Sequence, residues 1–160
     1  MVNIQSPFSV STLFRKKATL KAKDMERRFF ILGAIFALLA VILGAFAAHF
    51  LSAHLEPGKV SSFDTGVRYQ FYHALALFVV ALWQKHSTSP LLRWAAWLFV
   101  AGILCFSGSI YLLATRAVSG LDVAWLGPVT PIGGLLFILG WALLVWAGLR
   151  SGSLESKGEV

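Results

Sequence analysis

Residues Phe29 to Ala48 read FFILGAIFALLAVILGAFAA, a stretch without a single charged side chain. A hydrocarbon slab about 30 Å thick is crossed by roughly 20 residues of helix rising 1.5 Å each, and this run has that length. Three more uncharged runs follow, at Tyr69 to Gln84, Trp94 to Thr115 and Val129 to Leu149. A helix apolar on every face must be buried or lie in lipid, and one 160-residue domain cannot bury four of them. The chain therefore reads as an all-α membrane protein, a four-transmembrane-helix bundle.

Composition agrees. Charged residues make up 13% of the chain and mean hydropathy is +0.75, where soluble domains carry about 25% charge. Of the net charge of +7, the segment Met1 to Arg28 supplies +5, from seven Lys or Arg against Asp24 and Glu26. A basic block beside an apolar helix is a topology signal and an attraction to anionic lipid, so no nucleic-acid partner is expected. Cys105 is the one cysteine, which excludes a disulfide framework and a Cys-based zinc site.

Lys and Arg in excess stay on the cytoplasmic side. The basic N-terminal flank and the connection Lys85 to Arg93, with two bases and no acid, therefore point inward. Four spans return the C-terminus to the same side, giving N-in/C-in. Trp83, Trp94, Trp97 and Trp146 then fall at the cytoplasmic boundary, and Tyr69, Tyr72, Tyr111 and Trp125 at the outer one, as amphipathic rings do. Residues 1–25 form a flexible basic N-terminal arm in this reading, residues 26–150 the transmembrane domain, and residues 151–160 a cytoplasmic tail. The spans lie at about 29–50, 63–84, 94–115 and 129–149. Met25-Glu26-Arg27-Arg28, running straight into Phe29, is also a natural translation start.

Small residues recur at helical spacing. Gly33 with Ala37, the row Ala40, Gly44 and Ala48, the row Ala101, Cys105 and Ser109, and Gly108, Gly133 and Gly134 are candidate packing positions, because small-xxx-small rows let helices approach in lipid. Glu56-Pro57-Gly58 is a turn signal. Ser61 or Ser62 is expected to cap a second helix starting near Phe63, with Arg68 snorkelling to the outer interface. Thr130-Pro131 opens the fourth helix, proline being tolerated in a first turn.

The polar residues at membrane depth gather in one half of it. His49, Arg68, Tyr69, Gln70, His73, Ser107, Ser109, Tyr111 and Thr130 all fall toward the outer side, with His73 about 18 Å from the cytoplasmic end of its helix. Polar groups in hydrocarbon must find partners, so an interhelical hydrogen-bond network is expected, with His73 held by Ser107, Ser109 or Gln70. The alternative is an outward-facing vestibule of an oligomeric transporter centred on His73. A metal site of His49, His54 and His73 is disfavoured, since residues five apart lie about 140° apart around a helix. No span carries a carboxylate, a nucleophile with a base, or a metal set, so neither an enzyme nor a cofactor is expected.

Four motifs stand in order: LGAFAAHFL (Leu43 to Leu51), RYQFYHALAL (Arg68 to Leu77), FSGSIYLL (Phe106 to Leu113) and TPIGGLLFILGW (Thr130 to Trp141). Together they resemble the domain-of-unknown-function 423 family, small bacterial inner-membrane proteins related to a eukaryotic group called transmembrane protein 256. The resemblance covers roughly residues 26–149 and implies four transmembrane helices and a multi-pass inner-membrane location. It implies no activity. The family pattern has Gly where Ala47 or Ala48 stands here, and the arm has no counterpart in it. The expected role is a structural or accessory membrane component, with the lipid bilayer as partner and a further copy or a larger membrane complex left open.

Overall fold

The computed structural model describes the backbone of residues 10–155 and the side chains of residues 24–151. Its described residues are helical in four rods. The first is α1 (Val10–Phe46), a π-turn (Ala47–Leu51) and the short α2 (Ser52–His54). The second is α3 (Pro57–Gln84). The third is α4 (Pro90–Gly102), a second π-turn (Ile103–Ser107) and α5 (Gly108–Ser119). A 3-10 turn (Ala124–Leu126) leads into the fourth, α6 (Val129–Glu155).

Sequence explains most boundaries. Pro90 occupies the first turn of α4 and the Ser89 hydroxyl caps it by accepting from the Leu91 N–H at 3.3 Å. Gly120 ends α5 in the left-handed conformation, φ 68°, which an L side chain rarely adopts. The second rod starts six residues earlier than expected, because Pro57 serves as its opening residue. Ser61 and Ser62 then lie inside the helix, and the Ser62 hydroxyl donates back to the Gly58 carbonyl at 2.9 Å rather than capping.

Two terminal expectations also change. The backbone is helical from Val10, where a flexible arm was expected; residues 10–28 contain no Gly or Pro and many good helix formers. Residues 1–9 lie outside the described residues. At the other end α6 runs to Glu155, beyond the boundary expected at Leu149, and residues 156–160 lie outside the described residues.

Among the described residues three helices are long and apolar enough to cross a membrane: Asp24–His54, Pro90–Ser119 and Ala124–Ser151. The second rod is the exception. It is the hub, with α1 packed along one side and the third rod along the other, while α6 packs chiefly on the third rod. Its mid-helix polar residues Gln70 and His73 are covered by neighbours. Outward faces elsewhere are hydrocarbon, as with Leu38, Ile42, Leu135 and Val145, the arrangement lipid demands.

The interior is layered. One apolar cluster gathers Phe29, Leu77, Val80, Leu92, Phe99 and Leu144 at the end nearest the N-terminal segment, here called proximal. A second gathers Ala40, Ala47, Leu51, Phe63, Val67 and Ala114 at the distal end. Between them lie the buried polar residues Gln70, His73, Ser107 and Ser109. At the proximal rim Lys85 meets Glu26 at 3.6 Å, tying the first rod to the end of the second.

Several small residues carry the contacts between rods. A methyl added at Gly33 would meet the Ala74 carbonyl at 3.0 Å, and one at Gly44 the Val67 side chain at 3.4 Å; with buried Ala40, this row packs α1 on α3. Gly133 lies against the Phe106 backbone, so the fourth rod touches the π-turn of the third. Gly134 makes only ordinary contact with the Phe106 ring, at 3.9 Å. Gly108 is no packing position, having nothing within 4 Å of an added Cβ, and Ala48 is exposed. Ala37, Ala101 and Cys105 are half-buried. The row Ala101, Cys105, Ser109 does not keep its helical phase, because the π-turn puts an extra residue into its turn.

Candidate functional site

The polar layer resolves into three chains of hydrogen bonds, each joining different rods. In the first, the Tyr111 hydroxyl donates to Gln70 Oε1 at 3.0 Å, and Gln70 Nε2 donates to the Phe36 carbonyl at 2.9 Å. Third, second and first rods are thereby linked through one amide. Gly66, one turn before Gln70, makes room for this: a Cβ there would lie 2.8 Å from the Tyr111 ring.

In the second chain the Ser109 hydroxyl donates to the Phe106 carbonyl at 3.0 Å, within the third rod's π-turn. A hydroxyl has one proton, so the 2.7 Å contact between Ser109 and Thr130 runs from Thr130 to Ser109. The order is Thr130 to Ser109 to the Phe106 carbonyl, joining fourth and third rods beside the Gly133 contact. Ser107 is fully buried near the Tyr111 phenol, yet among the described residues its hydroxyl has no hydrogen-bond partner within bonding geometry.

The third chain contains His73. Trp141 Nε1 donates to His73 Nε2 at 3.2 Å, and His73 Nδ1 lies 2.7 Å from the Tyr69 carbonyl of its own helix. An indole N–H only donates and a carbonyl only accepts. His73 is therefore the neutral tautomer with its proton on Nδ1, and both nitrogens are engaged. Its ring lies flat on Phe137, centroids 3.5 Å apart and planes 8° apart, with Phe99 at 5.4 Å and Tyr69 at 6.1 Å.

That aromatic cage is built by a reciprocal fit. Phe137 of α6 lies over Gly102 of α4, where a Cβ would come within 2.5 Å of the ring. Phe99 of α4 lies over Gly140 of α6, with 2.6 Å available. Each helix thus presents a Phe three residues before a Gly, and the two pairs interlock. Both rings close on the histidine.

The expected cluster is brought together only in part. Gln70 with Tyr111, and Ser109 with Thr130, pair directly. His73 is held by Trp141 and Tyr69, not by Ser107, Ser109 or Gln70 as expected. Tyr69 contributes its carbonyl, and its half-exposed ring packs on Phe106 at 4.7 Å. His49 is exposed on the first π-turn and joins none of the three chains. Arg68 is exposed and pairs with Asp64 at 3.1 Å, one turn along its own helix.

Trp141, Phe99 and Phe137 are the cage residues that reading the sequence missed. The signal for Trp141 was a donor-only indole far from both interfaces. For the phenylalanines it was the repeated Phe-x-x-Gly spacing at residues 99–102 and 137–140. The vestibule alternative finds no support in this geometry, since His73 lies against the Phe137 and Phe99 rings with both nitrogens engaged by the protein. Among the described residues no three His, Cys, Asp or Glu side chains come close enough to share a metal ion.

The pattern of a family described as a protein of unknown function, DUF423, matches residues 43–134. The UPF0382 membrane protein YwdK of Bacillus subtilis is 47% identical over 123 residues, 76% of this chain and 96% of that protein. A UPF0382 membrane protein of Staphylococcus epidermidis is 46% identical over 122 residues, 76% of this chain and 95% of the relative. Another, from Haemophilus influenzae, is 41% identical over 131 residues, 81% of this chain and all of the relative. No solved structure matches. The matched segment holds the first three motifs and the start of the fourth, and relatives aligned over nearly their whole length are named as membrane proteins: this chain belongs to the DUF423 family.

Proposed function

We propose that the chain is an accessory membrane protein with four spans, both termini in the cytoplasm, and an interior polar layer that joins helices to one another. The observation that carries this reading is the saturation of His73. A histidine that moves protons hydrogen-bonds to at least one group that can exchange a proton with it, and here the two partners are an indole N–H and a backbone carbonyl, which do not. Coupled transport normally places an Asp, Glu or Lys within a span, and the buried polar side chains among the described residues are Gln70, His73, Ser107 and Ser109. The count of four spans takes support from the second rod, 28 residues or about 42 Å long, flanked by rods apolar enough to cross. The orientation takes support from the basic flank and the basic second connection.

The test compares a deletion strain with strains carrying His73→Gln or His73→Leu, under a condition where the deletion impairs growth. Gln keeps a donor and an acceptor, so growth should match wild type whenever the variant accumulates normally. A His73→Gln protein that accumulates and melts like wild type, yet reproduces the deletion phenotype, would overturn the proposal.

A further inference from the structure

At the distal end the first rod and α3 leave an open groove of about 570 Å³ between them, its walls including Gly44, Ala48, Ser52, Ser61 and Asp64. Its depth in the membrane follows from the pairing of the rods. Gly44 faces Val67, so the antiparallel partner level with Asp64 is near Ala47, about 27 Å along the helix from Phe29 and close to one hydrocarbon thickness. The groove therefore sits at headgroup level, with Asp64 at its inner end.

The charges there are incompletely matched. Asp64 and Arg68 meet through one contact, Oδ2 to Nε at 3.1 Å. The other carboxylate oxygen and both terminal guanidinium nitrogens have no partner among the described residues, and about half of each side chain is exposed. An ion pair at the edge of hydrocarbon is poorly solvated and gains from further charge-assisted hydrogen bonds. Two hydroxyls line the same groove. Ser52 donates its proton to the Ala48 carbonyl at 2.7 Å, which leaves its oxygen as an acceptor, and Ser61 stands on the opposite wall.

We propose that this groove binds the headgroup of an ethanolamine phospholipid. The primary ammonium, with three N–H donors, meets the open oxygen of Asp64 and the serine oxygens, while the phosphate meets the outward edge of Arg68. A choline head has no N–H to donate and a glycerol head no positive charge, so the groove discriminates by hydrogen bonding and by charge together. A bilayer presents headgroups in both leaflets, so the direction of insertion does not enter.

The experiment reconstitutes the full chain in nanodiscs of equal ethanolamine, choline and glycerol phospholipid, then measures the lipid retained by native mass spectrometry. Wild type should retain ethanolamine lipid over choline lipid by about tenfold, the equivalent of one charge-assisted hydrogen bond. Asp64→Asn should bring that ratio near one, and Ala48→Leu, a change at an exposed residue that fills the groove, should do the same with unchanged helix content. Equal retention in wild type, or a preference surviving both variants, would overturn the assignment. So would a change of oligomeric state in Ala48→Leu without a change in lipid, which would make the groove a contact between copies. Stabilisation by soluble phosphoethanolamine equal to that by the diacyl lipid would overturn the lipid as the source of the headgroup.

Discussion

The indole N–H of Trp141 meets Nε2 of His73 at 3.2 Å, and so places the imidazole proton on Nδ1, facing the Tyr69 carbonyl. One donor on the fourth rod thus sets the tautomer of a ring on the second. Charging His73 would set two N–H groups against each other across that contact. The histidine is neutral by construction.

Removing one partner should cost more than removing both. His73→Leu strands the Trp141 N–H and Trp141→Phe strands Nε2, each costing about 1–3 kcal/mol. The double variant should fall short of their sum by about 0.5–2 kcal/mol. His73→Gln, which can still donate and accept, should lose less than about 1.5 kcal/mol, mainly from its stack on Phe137. Thermal or denaturant unfolding in a fixed detergent measures all four, and additive losses would mean that the contact is not made.

Two glycines of the third and fourth rods should behave oppositely. A Cβ at Gly133 runs into the Phe106 backbone, which cannot swing aside as a side chain can. Gly133→Ala should therefore destabilise by about 1–3 kcal/mol or more. Gly108→Ala adds a methyl where nothing lies within 4 Å and should stabilise by up to about 1 kcal/mol. Melting temperatures of the two purified variants decide it, and a harmless Gly133→Ala would refute the backbone contact.

Tyr111→Phe removes the donor to Gln70 Oε1 but keeps the ring over Gly66. The expected loss is near the average of about 0.6 kcal/mol for a hydrogen bond between membrane helices, rising toward 2 kcal/mol because the carbonyl left behind is buried. In a Gln70→Leu background the same change should cost nearly nothing. A full loss there would assign the tyrosine hydroxyl to another partner, with Ser107 the nearest.

Topology is tested by reporter fusions. Fusions after Pro57 and after Gly120 should report the outside, and those after Ser87 and Gly152 the cytoplasm. A chain begun at Met25 keeps Arg27, Arg28 and the Glu26 to Lys85 contact, and should insert at the same level and in the same direction. A cytoplasmic signal after Pro57 would reverse the whole arrangement.

Uncharged length made the helical rods legible from the sequence, and small-residue spacing pointed to Gly33, Ala40 and Gly44, though Ala37 is only half-buried and Ala48 is exposed. The polar partners were harder to read for a physical reason. Knowing that Gln70, His73, Ser109 and Thr130 share a depth does not set the rotation of each helix, and hydrogen bonds depend on rotation. The π-turn at Ile103–Ser107 changes the phase between Phe99 and Ser109, and no residue type announces it. The start of α3 went astray for a different reason: Pro57 was read as the end of a turn when it is the first residue of a helix.

The hub position of α3 bears on how the chain is made. A ribosome delivers the rods in order, and the first can pass into lipid unaided, being apolar throughout its span. In the proposed four-span arrangement the second cannot do so at equal ease, because Gln70 and His73 would meet acyl chains until the third and fourth rods emerge. Of its hydrogen bonds across rods, only that from Gln70 to the Phe36 carbonyl is available at that moment. Biosynthesis should therefore hold the first two rods as a hairpin at the insertion machinery, releasing them only after Tyr111 and Trp141 have been translated. A nascent chain ending at Gln84, extended by a linker long enough to clear the ribosome, should crosslink to that machinery, and one ending at Arg150 with the same linker should not.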